Sequence, residues 1–280
     1  MSIRIVTDST CDLPAEVIDR YGIRVVPLYI NIGNQGYLDG VEITRAEFYD
    51  NLPTYKVQPT TAAPPPEKYR AVYETLAGQG ATEILSIHIS QALSAVVDTA
   101  RLAAQEFKSI PVTVFDSQQL SLGTGFLVET AARLALAGRS MSEILAALDD
   151  QIRRSYVFAA LDTLKFLRRS GRLNGVASGL GSLLQLKPIM KMYAGKPDAE
   201  RVRTRKRAMQ RVIDLLSEKG PLERVAIVHT HAPARVEELR QLAAHLLPAG
   251  EILSMDITPV IGAHIGPGAA GFAVITEKEQ

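Results

Sequence analysis

Residues 83–104 read EILSIHISQALSAVVDTARLAA, and the two periodicities within them decide the fold class. The segment ILSIHI, 84–89, is mostly apolar and β-branched, which predicts a buried strand. In the second half Val97, Ala100 and Ala104 share one face of a helix, with Asp98 and Arg101 on another. The hinge between them is Ser90-Gln91-Ala92-Leu93-Ser94. Two hydroxyls therefore stand where a strand ends and a helix begins. A helix start presents unpaired N–H groups and a positive dipole end. In open α/β sheets ligands gather beyond the carboxyl ends of the strands. On this stretch alone, capping is the commoner role for Ser90 or Ser94, and ligand binding the sharper one.

The same unit recurs on both sides. Residues 2–8 predict a strand, 14–21 a helix ended by Gly22, and 23–32 another strand, the start of a βαβ unit. Asn34-Gln35-Gly36 is a hairpin-type turn, with a short return strand over 37–41. A short helix over 44–51 carries Thr44 and Glu47 as a capping box. The segment 58–66 holds four prolines, which make it stiff and extended, either a rigid linker or an arm presenting Thr61. Helices are predicted over 67–79, 126–137 and 141–155, with a strand over 112–116. Past residue 156 come strands over 156–160, 187–192, 225–230, 251–257 and 271–276, and helices over 200–217 and 233–246. The stretch 175–186 is helical and rich in small residues, suited either to close packing or to leaving room for something apolar. The expected fold is α/β in two domains. Residues 1–155 form a mainly parallel doubly wound sheet, with the proline arm 57–66 reaching toward the second domain. Residues 156–280 form a mixed sheet with helices.

Composition narrows the function. The chain has 280 residues, a net charge of +1 and one cysteine. That near-zero charge recruits neither nucleic acid nor an anionic membrane. Cys11 alone excludes an intramolecular disulfide framework and suits the cytoplasm. No leader or membrane-spanning stretch is expected, and with no Trp and 6% aromatics a base-stacking surface is not expected either. Walker and dinucleotide-binding glycine patterns are absent. The pair His229 and His231 lacks the further spacing of a metal site, so no metal and no cofactor are expected. The arginines over 201–211 read as a solvated helix face or a protein-docking patch rather than a nucleic-acid surface.

Three polar residues stand in predicted loops: Thr61, Ser94 and His264, the last within the glycine-rich run 262–268. Together they are a donor set for a carboxylate or phosphate oxygen. The alternative is a serine hydrolase acting on lipid-like esters, with Ser94, His264 and an acid such as Asp116. Against it, Ser94 lies in Ala92-Leu93-Ser94-Ala95-Val96, which is not a G-x-S-x-G elbow.

The sequence resembles the DegV family over essentially its whole length. The matching stretches are 5–13 (IVTDSTCDL), Thr61 with Pro64 and Pro66, Leu93-Ser94, Asp116-Ser117 with Gly123 and Gly125, 167–172 (LRRSGR), 203–208 (RTRKRA) and 262–268 (GAHIGPG). The resemblance implies a bacterial fatty-acid carrier with no catalytic residue of its own. Such a protein buries the acyl tail, holds the ligand near the domain junction and presents the carboxylate to a fatty acid kinase subunit, which makes an acyl phosphate for phospholipid synthesis. Thr61, Ser94 and His264 match the carboxylate-binding residues, and Arg203, with Arg205 beside it, the kinase-docking arginine. Ala62-Ala63 stand where relatives commonly have Ser-Gln, and Ala95-Val96 where they have Gly-Thr; both changes fall on the rim. The candidates for the tail tunnel are Leu183, Leu184, Leu186, Ile189 and Met190. Each buried methylene contributes about 0.8 kcal/mol, so a tail of about fifteen contributes on the order of 12 kcal/mol gross. Binding costs reduce this greatly. The implied partners are a long-chain fatty acid and the kinase subunit, with no nucleic acid and no stable membrane insertion.

Overall fold

A computed structural model describes residues 2–172 and 186–278 of the chain. β1 (Ile3–Asp8), α1 (Ala15–Tyr21) and β2 (Arg24–Val26) form the first βαβ unit. The hairpin β3 (Tyr29–Ile32) and β4 (Gln35–Leu38) follows, then α2 (Arg45–Asn51) and β5 (Thr60–Ala62). Next come α3 (Pro66–Gly78), β6 (Glu83–His88), α4 (Val96–Glu106), β7 (Val112–Asp116), α5 (Leu122–Leu136) and α6 (Met141–Ile152). The remainder is β8 (Ser155–Ala160), α7 (Lys165–Arg169), β9 (Lys187–Tyr193), β10 (Lys196–Val202) and α8 (Arg205–Ser217). β11 (Leu222–His229), α9 (Pro233–Ala243), β12 (Ser254–Asp256), α10 (Pro259–Ile265) and β13 (Ala270–Thr276) complete it.

Among the described residues the strands make three sheets. One is parallel, in the order β2-β1-β6-β7; one is mixed, β10-β9-β8-β13-β11-β12; a small antiparallel one is β4-β3-β5. In the parallel sheet the chain leaves β1 toward β2 and returns to the other side of β1 with β6. This puts a topological switch point at the carboxyl ends of β1 and β6, where the hinge 90–94 lies. Helices α1, α5 and α6 pack on one face of this sheet and α3 and α4 on the other, as expected for a doubly wound unit. The most apolar helix of the sequence, α5, is buried nearly all round because it lies between the parallel and the mixed sheets. Gly125 makes that fit possible: a Cβ there would stand 2.4 Å from the Cys11 carbonyl oxygen.

Several elements differ from expectation. The single strand over 23–32 is two, β2 and β3, which belong to different sheets. Pro27 between them has no N–H for a ladder, and the chain turns out of the parallel sheet there. The helix expected over 200–217 begins only at Arg205. Residues 196–202 instead pair with β9 as a hairpin, and Thr204 accepts the Arg207 N–H as N-cap. Gly123 and Gly125 lie inside α5 rather than before it, and α6 ends at Ile152. His264 lies in the last turn of α10 and Thr61 in β5, so neither is a loop residue. The capping boxes of Thr44 with Glu47 and Ser140 with Glu143 are both present.

Candidate functional site

The proline arm is an edge strand. β5 pairs antiparallel with β3, Thr61 opposite Ile30, and prolines at 59 and 64–66 flank it where no ladder N–H is needed. Gln58 ties the arm to the second half of the chain by donating to the carbonyls of Ala263 (3.1 Å) and Phe166 (3.3 Å). Thr61 Oγ1 is thereby held 2.8 Å from Nε2 of His264. The glycines after His264 are required by geometry. Gly266 has φ +77°, and a Cβ on it would lie 2.4 Å from the Phe166 ring.

The Thr61–His264 pair opens on a cavity of about 220 Å³ between the two sheets. Ser94 lines the same cavity. Its hydroxyl does not cap α4, whose N-cap is Ala95 with no side-chain bond. Ser90 has the local role: its hydroxyl accepts the Ala92 N–H (3.3 Å) and its carbonyl accepts those of Leu93 and Ser94. Most of the other lining residues are apolar. Val157, Ala159 and Leu161 line it from β8 and beyond, Met190 and Met192 from β9, and Leu28, Ile89 and Leu120 from the N-terminal half. Ile189 alternates to the other face of β9 and packs under α8, a consequence of the two-residue strand period. Leu186 is not among the lining residues, and Leu183 and Leu184 lie outside the described residues.

Burial, with the positive charge of Arg172 adding to it, pushes the His264 imidazole down to about 4, so the ring is neutral near pH 7. A neutral ring carries one N–H. Among the described residues Nδ1 is buried without a partner, which assigns the proton to Nε2, where Thr61 Oγ1 accepts it. The Thr61 hydroxyl is then free to donate into the cavity. Arg172, part of the LRRSGR motif, also lines the cavity and brings a cation to the polar end that was not anticipated there.

Ser94 and His264 line one cavity, but among the described residues no hydrogen-bonded chain links Ser94, His264 and Asp116. His264 is engaged with Thr61, and Asp116 Oδ1 accepts the N–H groups of Gln118 (2.9 Å) and Gln91 (3.3 Å) as a turn residue. An Asp–His–Ser chain does exist elsewhere: Asp8 Oδ2 to His88 Nδ1, 2.9 Å, and His88 Nε2 to Ser86 Oγ, 2.7 Å. All three are fully buried, and the Tyr73 hydroxyl occupies Ser86, so this chain ties β1 to β6 and meets no substrate. Burial opposes ionisation of Asp8, yet bonds from His88, Thr10 and the Ile89 N–H hold it below the usual carboxylate range. His229 Nδ1 accepts the Ala232 N–H and His231 pairs with Asp50 (3.0 Å). No metal-holding group of three or more ligands occurs among the described residues. None of their helices is long and apolar enough to cross a membrane. Arg203 is exposed in the bend before α8, and Arg205 opens that helix and pairs with Glu238 at 2.9 Å.

The family model described as "Uncharacterised protein, DegV family" matches residues 2–277. A DegV domain-containing protein of Deinococcus radiodurans is 38% identical over 281 residues, 98% of each chain. Among solved structures, a Thermus thermophilus DegV family protein described for fatty acid binding superposes with a TM-score of 0.89. It is 38% identical, with 99% of this chain and 100% of that one covered. DegV of Bacillus subtilis, described as a fatty acid binding protein, has a TM-score of 0.90 at 31% identity over 99% of this chain and 100% of its own. Sequence and fold agree over nearly the full length, and the chain belongs to the DegV family.

Proposed function

We propose that this protein is a non-catalytic cytoplasmic carrier of a long-chain fatty acid, whose carboxylate it presents to a partner kinase for acyl-phosphate formation. The observation that carries the reading is the cavity: mostly apolar, with Thr61, Ser94 and His264 all in its lining and the first and last in contact. Burying an acyl tail is favourable in proportion to its area, but a buried carboxylate must be hydrogen-bonded. Hydroxyls of Thr61 and Ser94, backed by His264 and by free N–H groups at the start of α4, meet that need. They leave oxygens accessible to a second protein. The tail runs between the halves 1–155 and 156–280, against Met190, Met192, Val157 and Ala159. The fatty-acid binding described for the Thermus thermophilus and Bacillus subtilis relatives supports the same ligand class.

Protein purified from a bacterial host is expected to carry fatty acid in near-stoichiometric amount, read by mass spectrometry of an organic extract. A clean extract from freshly purified protein argues against the carrier. The exposed Arg203 is assigned to docking. Arg203→Ala is expected to keep the fatty acid and to lower kinase-dependent acyl phosphate about tenfold, the size of a good interface contact. Loss of the fatty acid in this variant would overturn the division of roles.

A further inference from the structure

Helix α10, which carries His264, follows β12 in the chain and packs on α7, but its start is tied to the N-terminal half. The Tyr49 hydroxyl donates to the carbonyl of Ile257 just before it (2.9 Å). A Cβ on Gly262 would stand 2.1 Å from that hydroxyl, so helix and tyrosine touch with no space between. The Thr258 hydroxyl donates to Asp39 Oδ2 (2.5 Å). At the centre is Asp12, 1% exposed and in the left-handed region at φ 55°. Its Oδ1 accepts the Thr258 N–H at the head of α10 (2.9 Å) and pairs with Arg45 of α2 (3.0 Å). Its Oδ2 accepts the Ser121 hydroxyl (2.6 Å). Ser121 is the N-cap of α5, has φ 50°, and lines the cavity.

Two non-glycine residues in an unfavourable backbone region, joined by a short bond beside a cavity, are costly unless the surroundings need them there. One carboxylate thus joins the end of β1, α2, the start of α5 and the start of α10. Thr61 and His264 meet only if α10 keeps its place relative to β5. We infer that Asp12 is a positioning residue of the site: through Thr258 it sets α10, and so the contact of His264 with Thr61, and through Ser121 it sets the cavity wall. The inference rests on the carrier reading for its effect on ligand, and on geometry alone for its effect on His264.

Asparagine at position 12 can still accept the Thr258 N–H and meet Ser121, whereas alanine can do neither. In titrations with the fluorescent fatty acid cis-parinarate, folded Asp12→Ala is expected to bind at least tenfold more weakly than wild type, and Asp12→Asn within about threefold. The ring nitrogen resonances of His264 in 15N-labelled protein are expected to keep the hydrogen-bonded Nε2–H pattern in Asp12→Asn and to lose it in Asp12→Ala. This readout does not need the ligand. Should Asp12→Ala not fold, Gly262→Ala displaces α10 from the Tyr49 side without altering a charge, and the same losses are expected. An unchanged His264 signature in a folded Asp12→Ala or Gly262→Ala protein overturns the positioning role, as does equal loss of affinity in Asp12→Asn and Asp12→Ala. Failure of wild type to bind cis-parinarate would count against the carrier reading, with the His264 resonances still deciding the role of Asp12.

Discussion

Thr61→Val is expected to weaken binding of a long-chain fatty acid by roughly 10- to 100-fold while leaving the fold intact. A hydrogen bond to a charged group contributes about 1.5–3 kcal/mol, and about 1.4 kcal/mol is tenfold in affinity. Thr61 is half-buried on an edge strand, and valine is nearly isosteric and favoured in strands. The substitution removes the hydroxyl proposed to donate to the carboxylate and also strands the Nε2–H of His264, which has no other partner among the described residues. Ser94→Ala is expected to act in the same direction but less, about 5- to 10-fold, because the N–H groups of α4 remain. The two losses are not expected to add, since in the proposed mode both hydroxyls serve one carboxylate. Titration with cis-parinarate, paired with thermal melting to confirm the fold, reads both. Wild-type affinity in Thr61→Val would remove Thr61 from the carboxylate site.

Asp12 and His264 give the fold opposite responses to pH, and single substitutions separate them. Burial pushes the Asp12 carboxyl from 3.8 up to about 7, against the pull of Arg45, Ser121 and the Thr258 N–H. The folded protein therefore holds a proton that the unfolded chain has released. This contribution is complete below about pH 4 and is lost as pH rises through about 7. His264 is displaced the other way, from 6.5 to about 4, chiefly by burial. Its contribution is present above about pH 6.5 and is lost as pH falls through about 4. Each amounts to on the order of 3 kcal/mol over its window. Relative to wild type, Asp12→Asn is expected to lose stability as pH falls from about 7 to about 4, and His264→Gln to gain it. Urea unfolding across that range measures the two slopes. Slopes of the same sign would show that one of the two groups is not buried in the ionisation state assigned here.

Much of the fold was legible because its signals are local. The apolar run before Ser90 and the helical spacing after Ser94 place β6 and α4 on either side of the hinge, as found. The capping box at Thr44 marks its helix by side-chain chemistry within four residues. The errors share a cause. Residues 196–202 alternate weakly, and the arginines that follow suggest one long helix. Only pairing with β9, which is itself held in the sheet by β8 from about thirty residues earlier, makes them a strand. Likewise Pro27 is visible in the sequence, but that the chain changes sheets there depends on β5, which comes thirty residues later, covering β3.

The site divides in the same way. Thr61, Ser94 and His264 stood out by residue type, setting and resemblance, and all three line one cavity. Asp12 did not stand out: within its TDSTCDL context it reads as a helix cap near Pro14, since its partners Ser121 and Thr258 are 109 and 246 residues away. The Asp8–His88–Ser86 chain was hidden for the same reason, its bond from Asp8 spanning 80 residues. Periodicity, caps and turn residues are properties of short segments, so the sequence by itself determined the α/β class, most elements and the polar residues with a ligand-binding look. Which face of β9 lines the cavity, which proton His264 carries and which carboxylate holds α10 were decided only by the tertiary structure. Each depends on burial and on partners that folding brings from the other half of the chain.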